Sequence, residues 1–127
     1  VDFDPVTSSP KPVNGNIPIL VGGDTPAAIA RAVKLADGYF PGEGDIDRLR
    51  ALIGRVHGAC ETAGRDPASL EINAMFGTQM SDPKAGIEEM RAAGVGRIMI
   101  PAFFFAGPGG LDRMTALAEQ IMPLAAE

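Results

Sequence analysis

The chain has 127 residues, a length that suits one domain, and its hydrophobic and charged fractions of 46% and 21% are ordinary for a globular protein. The net charge of −5 argues against nucleic acid and anionic membranes as partners, and no apolar run is long enough to span a bilayer. The single cysteine, Cys60, cannot form an internal disulfide, and no signal peptide is recognisable. We therefore expect a cytoplasmic protein. The chain starts at Val1 rather than Met, so we expect a processed protein or a piece of a longer one.

The elements follow in a regular order. Residues 1–16 are rich in Pro, Gly, Ser and Asn and are predicted to form an extended lead-in segment, and residues 17–127 to form four βα units. The predicted strands and helices alternate as strand 17–21, helix 26–36, strand 39–40, helix 46–63, strand 70–76, helix 83–93, strand 97–102 and helix 111–123. The second helix has apolar residues at three- and four-residue steps, which predicts a buried stripe of Ile46, Leu49, Ile53, Val56, Cys60 and Ala63.

The first βα unit carries the strongest local signal. Residues 17–21 are an apolar run, which predicts a strand covered on both faces, and Gly22 and Gly23 then allow a sharp turn. Thr25 is predicted to cap the following helix, with Pro26 at its first position. Free backbone N–H groups and the positive end of the helix dipole suit a phosphate. The alternative interpretation is that the glycines only make a tight turn. Gly38 is predicted to end this helix as a left-handed cap.

Four consecutive βα units imply an α/β fold with parallel strands and right-handed crossovers. Two architectures fit this pattern: a small doubly wound sheet, or half of an eight-stranded barrel, whose usual length of about 250 residues is near twice this chain. Both place binding groups at the carboxyl ends of the strands. The candidate loops are therefore residues 22–25, 41–45, 77–82 and 101–110.

Other side chains in these loops are weaker candidates. Glu43, Gln79 and Phe103 are predicted as possible substrate contacts, each against the alternative of a solvated or packing role. Strand alternation places Glu71 and Asn73 on the face opposite the apolar side chains, where a structural hydrogen-bond network is the favoured interpretation. No metal site is predicted, because no His, Cys, Asp and Glu residues have ligand spacing.

Four segments of the chain resemble the bacterial-luciferase-like monooxygenase family, in particular its deazaflavin-dependent oxidoreductase branch. They are KPV at residues 11–13, IPILVGG at 17–23, AVKLADGYFP at 32–41 and GVGRIMIP at 94–101. The resemblance covers nearly the whole chain, but only the carboxyl-terminal half of the family's (β/α)8 TIM barrel. It therefore implies that residues 17–127 are a half-barrel.

The resemblance implies the cofactor-phosphate-binding part of an oxidoreductase or monooxygenase that uses FMN or the deazaflavin coenzyme F-420 and a small organic substrate. Carried over to this sequence, the phosphate ligands would be Gly22, Gly23, Asp24, Thr25 and Ala27. Asp24 departs from what a phosphate prefers, so we expect its carboxylate to turn outward and only its N–H to be used.

No catalytic residue can be carried over from the family, because its remaining cofactor and substrate residues lie in strands that this chain lacks. We expect the chain to form a homodimer or to pair with the missing amino-terminal half, because two open sheet edges invite pairing. The alternative function is a non-catalytic α/β module that binds an anion or a protein.

Overall fold

The computed structural model describes residue 7 and residues 9–125, with the side chain of residue 125 left out. In these residues four strands alternate with four helices, as predicted: β1 Leu20–Gly22, α1 Pro26–Leu35, β2 Gly38–Phe40, α2 Ile46–Thr62, β3 Glu71–Met75, α3 Pro83–Ala92, β4 Arg97–Met99 and α4 Gly110–Ala125. Short 3-10 helices occupy Pro67–Ser69, Thr78–Ser81 and Ala102–Phe105. Most of the lead-in segment's first eight residues fall outside the described residues, and the division of the chain at residue 16 stays a prediction.

The four strands form one parallel sheet in the order β1-β2-β3-β4. A doubly wound sheet would need a reversal of strand order, and these strands show none. Because each right-handed crossover advances in the same direction, the helices lie on one face of the sheet, as they do in a TIM barrel. That the sheet is the carboxyl-terminal half of such a barrel stays a prediction.

The core lies between this sheet face and the first three helices. Tyr39, Ile72 and Phe76 are buried on the sheet side, where they join Leu49 of α2 and Met90 of α3 in one apolar cluster. Every second residue of the strands contributes to it, which is the period expected of a sheet with one covered face. Leu117 and Ile121 of α4 are also buried, where α4 packs on α3.

The opposite sheet face has no helix on it in the described part of the chain. The strand register places on this face the side chains of Leu20, Phe40, Glu71, Asn73, Met75, Arg97 and Met99. An ideal Cβ on Gly38 would contact the Leu20 side chain and lie 3.2 Å from Asn73 Nδ2, so these three residues share the face. We call it the open face.

Local signals set the helix ends. The carboxylates of Asp45 and Asp82 accept from the backbone N–H of Arg48 and Ala85, so both residues are N-caps as the sequence indicates. Gly64 and Gly94 follow their helices with φ of +69° and +89°, the left-handed region in which a side chain is strained. These four residues confirm the predicted boundaries of α2 and α3.

Several details of the prediction were wrong, and one of them is the fourth strand, which is Arg97–Met99 and not residues 97–102. The first strand is Leu20–Gly22, and Ile17 and Ile19 before it are 67% and 57% exposed, because β1 lies at the edge of the sheet and only one face is covered. Gly38 is not a left-handed cap but the first residue of β2, since α1 ends in the extended Ala36. Ala63 is exposed at the end of α2, whereas Leu52 joins the buried stripe.

In the residues that the structure describes, no helix has the length and apolar character needed to cross a membrane.

Candidate functional site

The turn after β1 has a backbone that only glycine accommodates. Gly23 has φ of +103°, and a Cβ there would lie 3.1 Å from the Cβ of Ala28. A Cβ on Gly22 would lie 3.0 Å from the Phe40 carbonyl oxygen. At both positions a neighbouring atom lies too close for a side chain, and Gly23 also has a left-handed backbone conformation. The turn brings the chain directly into the first turn of α1.

The start of α1 leaves several backbone N–H donors without an acceptor in the described residues. Thr25 is the N-cap, and its Oγ1 accepts from the Ala28 N–H at 3.2 Å, while Pro26 occupies the first helical position and has no N–H. The N–H groups of Asp24, Thr25 and Ala27 bond to no acceptor in the described residues. The Thr25 hydroxyl keeps its own proton for a further acceptor. The helix dipole adds partial positive charge at the same point, which suits an anion.

Tyr39, which lies in the core, fixes the orientation of the turn after β1. Its ring is fully buried in β2, and its hydroxyl donates to the Gly23 carbonyl at 2.7 Å. In a trans peptide the C=O and the following N–H point in opposite directions. Because the Gly23 carbonyl points toward the buried Tyr39, the Asp24 N–H points away from the core.

The pKa of Tyr39 is raised above its ordinary value. Burial is the main cause, the positive charge of Arg55 opposes it, and the negative charge of Asp24 adds to it. The hydroxyl therefore stays a neutral donor over the whole physiological range of pH.

A small charged cavity adjoins the turn. Its volume is about 300 Å³, and it is lined by Asp24, Glu43, Arg48, Ala51, Leu52 and Arg55. Two of the predicted site residues, Asp24 and Glu43, thus meet in one cavity with two arginines of α2. Arg48 and Arg55 therefore place positive charge near Asp24, which lessens the repulsion that its carboxylate would exert on an anion.

Glu43 is held in place by its own loop. Its Oε1 accepts from the backbone N–H groups of Gly44 and Asp45 at 2.9 Å each, and its Oε2 lies 3.5 Å from the Arg48 guanidinium. The side chain is 24% exposed. Glu43 is therefore a fixed charge at the rim of the cavity, and its contact with substrate stays a prediction.

Gln79 joins two of the top loops. It is 7% exposed, its Nε2 donates to the Gly44 carbonyl at 2.9 Å, and its Oε1 accepts from the Gly77 N–H at 3.2 Å. Gly86 of α3 makes room for it, because a Cβ there would collide with the Gln79 side chain. Both ends of the Gln79 amide are hydrogen-bonded to backbone groups, and these bonds hold the loops 41–45 and 77–82 together. Its predicted contact with substrate remains a prediction.

Phe103 lies in a loop whose carbonyl groups are hydrogen-bonded to Arg113. Its side chain is 71% exposed, and its ring centroid lies 4.6 Å from that of Phe104. The Arg113 guanidinium, on α4, donates to the carbonyls of Phe104, Ala106 and Pro108. The loop is fixed by three bonds to one side chain, so Phe103 is an ordered apolar group at the carboxyl edge of the sheet. It lies outside the cavity that Asp24 and Glu43 line.

The open face carries the predicted polar network. Asn73 is fully buried, and its Nδ2 donates to the Glu71 carbonyl at 3.3 Å, while Glu71 Oε1 lies 3.2 Å from the Arg97 guanidinium. The Oδ1 of Asn73 has no hydrogen-bond partner in the described residues. A buried acceptor without a donor is rare and costs stability.

Sequence reasoning did not single out Tyr39, Arg48 or Arg55. The sequence placed Tyr39 only in a short strand. Its hydrogen bond to Gly23 joins residues sixteen positions apart, and local sequence patterns do not reveal a contact of that range. Arg48 and Arg55 are seven residues apart, or about two helical turns, which places them on the same face of α2. That spacing in the sequence could have identified the two arginines as neighbours.

A second and larger groove, of about 730 Å³, lies between α1 and α2. It includes Arg65 at the opposite end of the strands, so it is separate from this site.

Comparison with known proteins gives the family. The sequence profile of the luciferase-like monooxygenases matches residues 1–124. The chain belongs to the luciferase-like monooxygenase family. This agrees with the resemblance seen in the sequence at the level of the family and with the parallel α/β architecture. Members of this family commonly use flavin or deazaflavin cofactors.

This chain is also similar to three mycobacterial proteins. It is 36% identical over 85 residues to an uncharacterized protein of Mycobacterium bovis and to uncharacterized proteins from two strains of Mycobacterium tuberculosis. The match covers 66% of this chain and 28% of each relative. The chain thus matches just over a quarter of the length of these proteins.

Proposed function

We propose that this chain is the cofactor-phosphate-binding part of a flavin- or deazaflavin-dependent oxidoreductase of the monooxygenase type. The observation that carries the proposal is the set of N–H groups at Asp24, Thr25 and Ala27, at the amino terminus of α1, which have no acceptor in the described residues. The family membership makes FMN and the deazaflavin coenzyme the natural ligands, since each carries a phosphate.

The residues present fit a phosphate group. Gly22 and Gly23 allow the backbone to approach the ligand closely, Thr25 offers a hydroxyl, and Tyr39 holds the turn rigid. A preorganised set of donors loses little entropy on binding. Asp24 lines the cavity that Arg48 and Arg55 also line, and the positive charges of these arginines would offset its carboxylate while its N–H serves the phosphate.

The bound cofactor would supply the hydride or oxygen chemistry, and the chain's residues would anchor and orient it. Glu43, Gln79 and Phe103 remain the proposed substrate-side residues, because their loops all lie at the carboxyl ends of strands. Phe103 has the exposure and the fixed loop that contact with an apolar substrate needs. No residue of this chain is assigned as catalytic acid or base.

Fluorescence titration tests the proposal. FMN and the deazaflavin coenzyme are titrated separately into the protein, with riboflavin as the control ligand, because it carries the same ring as FMN without the phosphate. Saturable binding of FMN or the coenzyme, with riboflavin at least about tenfold weaker than FMN, supports the proposal. No saturable change with either cofactor would overturn it.

A matched pair of glycine variants locates the site. Gly23→Ala and Gly64→Ala both place a side chain at a positive φ, of +103° and +69° respectively, so both strain the backbone. Only Gly23→Ala changes the phosphate turn, and it alone should weaken cofactor binding. If inorganic phosphate binds as tightly as FMN, the alternative of a non-catalytic anion-binding module is favoured instead.

A further inference from the structure

Four charged residues line the small cavity beside the turn of residues 22–25, and two of them already form a pair. The Arg48 guanidinium lies 3.5 Å from Glu43 Oε2, while two backbone N–H groups hold the other oxygen of Glu43 in place. The charge of Arg48 is therefore matched by a carboxylate that its own loop fixes. Asp24 and Arg55 are the two charges that this pair leaves over.

Arg55 lies on the same face of α2 as Arg48, since the two residues are about two helical turns apart. Its side chain is exposed. In the part of the chain that the structure describes, no carboxylate lies within 4.0 Å of its guanidinium. Its positive charge therefore acts on the surrounding groups over a longer range than a direct ion pair would.

The Tyr39 hydroxyl shows that Asp24 and Arg55 act on the same turn. This hydroxyl donates to the Gly23 carbonyl at 2.7 Å, so it lies at the turn itself. Burial has the largest effect on the pKa of Tyr39 and raises it, while the positive charge of Arg55 lowers this pKa and the negative charge of Asp24 raises it. The two charges thus reach one point of the turn with opposite signs.

A phosphate at the start of α1 would experience both charges. Two unit charges a few ångströms apart near a protein surface change a binding constant by at least about tenfold, so an uncompensated carboxylate at Asp24 would strongly oppose an anion. The guanidinium of Arg55 supplies the opposite charge from a neighbouring helix. The turn can therefore contain an acidic residue and still suit an anion.

We propose that Arg55 determines the charge selectivity of the site by offsetting Asp24, so that the turn accepts a phosphorylated ligand despite its acidic residue. The inference rests on the proposed function and names the residue on which the preference for a phosphorylated ligand depends. Arg55 acts through Asp24 and need not touch the ligand. Substitutions of the two residues should therefore be non-additive.

A double-mutant cycle tests the coupling, by isothermal titration with FMN, or with the deazaflavin coenzyme where that binds more tightly. Arg55→Gln should weaken binding about tenfold, because it leaves the Asp24 charge uncompensated. Adding Asp24→Asn to this variant should then restore at least about tenfold, more than the two- to fivefold gain expected from Asp24→Asn alone. Arg55→Lys keeps the charge and should lose less than about threefold.

Two controls separate charge selectivity from a structural effect. Arg50→Gln removes the same charge from the same helix, where Arg50 pairs with Asp47 and Glu89 away from the cavity, and it should bind the cofactor like wild type. Riboflavin has no phosphate, so Arg55→Gln should not change its affinity. An equal loss of riboflavin binding would show that Arg55 supports the fold of the site, and would overturn the inference.

The remaining outcomes distinguish this inference from the proposed function. If wild type binds neither cofactor, the proposed function fails and the inference with it. If wild type binds a cofactor and Arg55→Gln binds it equally well, the phosphate site stands and the role of Arg55 is wrong. An equal loss from Arg55→Gln with and without the Asp24 carboxylate would also overturn the inference, because Arg55 would then act on the ligand directly.

Tyrosinate absorbance gives a second measurement that needs no ligand. The pKa of Tyr39 should rise in Arg55→Gln and fall in Asp24→Asn, because each variant removes one of the two opposing charges. It should stay unchanged in Arg50→Gln. A Tyr39 pKa that responds to neither Arg55→Gln nor Asp24→Asn would overturn the inference, since the two charges would then not act on the same turn.

Discussion

The hydroxyl of Tyr39 donates to the carbonyl of Gly23 at 2.7 Å, from a ring that is fully buried. This bond joins the second strand to the turn after the first and directs the Asp24 N–H outward. The candidate phosphate site thus depends on a residue that need not touch the ligand.

Replacing Tyr39 with Phe should weaken FMN binding about tenfold, because the Gly23 carbonyl is released and the turn can reorient. The cost in unfolding free energy should be about 1 kcal/mol, the usual value for one hydrogen bond. Thr62→Ala is the matched control, since it removes a hydroxyl bond of 2.8 Å to the Gly58 carbonyl away from the site. If both variants bind FMN like wild type, the positioning role of Tyr39 is wrong.

Alkaline pH should remove the contribution of Tyr39. Because its folded pKa lies above the unfolded value of about 10, its contribution to stability is complete below pH of about 10 and is lost as pH rises through the folded pKa. The chain has one tyrosine and no tryptophan, so tyrosinate absorbance reports this residue alone. The stability advantage of wild type over Tyr39→Phe should shrink above pH of about 10. A tyrosine that titrates at its ordinary value would contradict this.

Asp24→Asn should strengthen FMN binding by about two- to fivefold, because it removes a negative charge next to the phosphate while keeping the backbone N–H. The effect is small because Arg48 and Arg55 line the same cavity as Asp24 and offset its charge. Isothermal titration at low and high salt measures it, and salt should reduce the difference. A large loss of affinity in Asp24→Asn would mean that the carboxylate itself is a ligand.

Arg65 holds the carboxyl end of α1. Its guanidinium donates to the carbonyls of Ala32, Val33 and Ala36 on one side and to Ser69 on the other. Arg65→Ala should lower the unfolding free energy by about 2–3 kcal/mol, since several charge-assisted bonds are lost. Arg65→Lys should recover only part of this, because an ammonium cannot span the same acceptors. Urea denaturation gives both values, and full recovery by Lys would contradict the bridging geometry.

Two substitutions of Asn73 distinguish the effect of charge from the effect of side-chain shape. Asn73→Asp should lower the unfolding free energy at pH 7 by about 2–4 kcal/mol, because it buries a carboxylate beside Glu71. The loss should decrease as the carboxyl group protonates in acid. Asn73→Leu has a similar size and removes the unpaired Oδ1, so its cost should be under about 1 kcal/mol. Equal losses for the two variants, measured by urea denaturation, would show that steric fit rather than charge decides the effect.

Much of the local structure followed from the sequence. The caps Thr25, Asp45 and Asp82 and the left-handed glycines Gly64 and Gly94 depend on residues within one helical turn, so short-range patterns identify them. The family was also recognisable from four short segments. The length of β1 was not, since a strand extends only as far as its neighbour pairs with it, and β2 has three residues.

The sequence by itself determined four βα units, their caps and a glycine turn suited to an anion, because these depend on near neighbours and on periodicity. The tertiary structure decided which groups meet across long separations: the Tyr39 hydroxyl at Gly23, the Arg65 guanidinium at the end of α1, and Asp24 beside Arg55. It also decided that, in the described residues, no helix covers one sheet face and that Asn73 is buried on that face. Such contacts form only when the strands assemble, and one-dimensional patterns do not encode the register that brings them together.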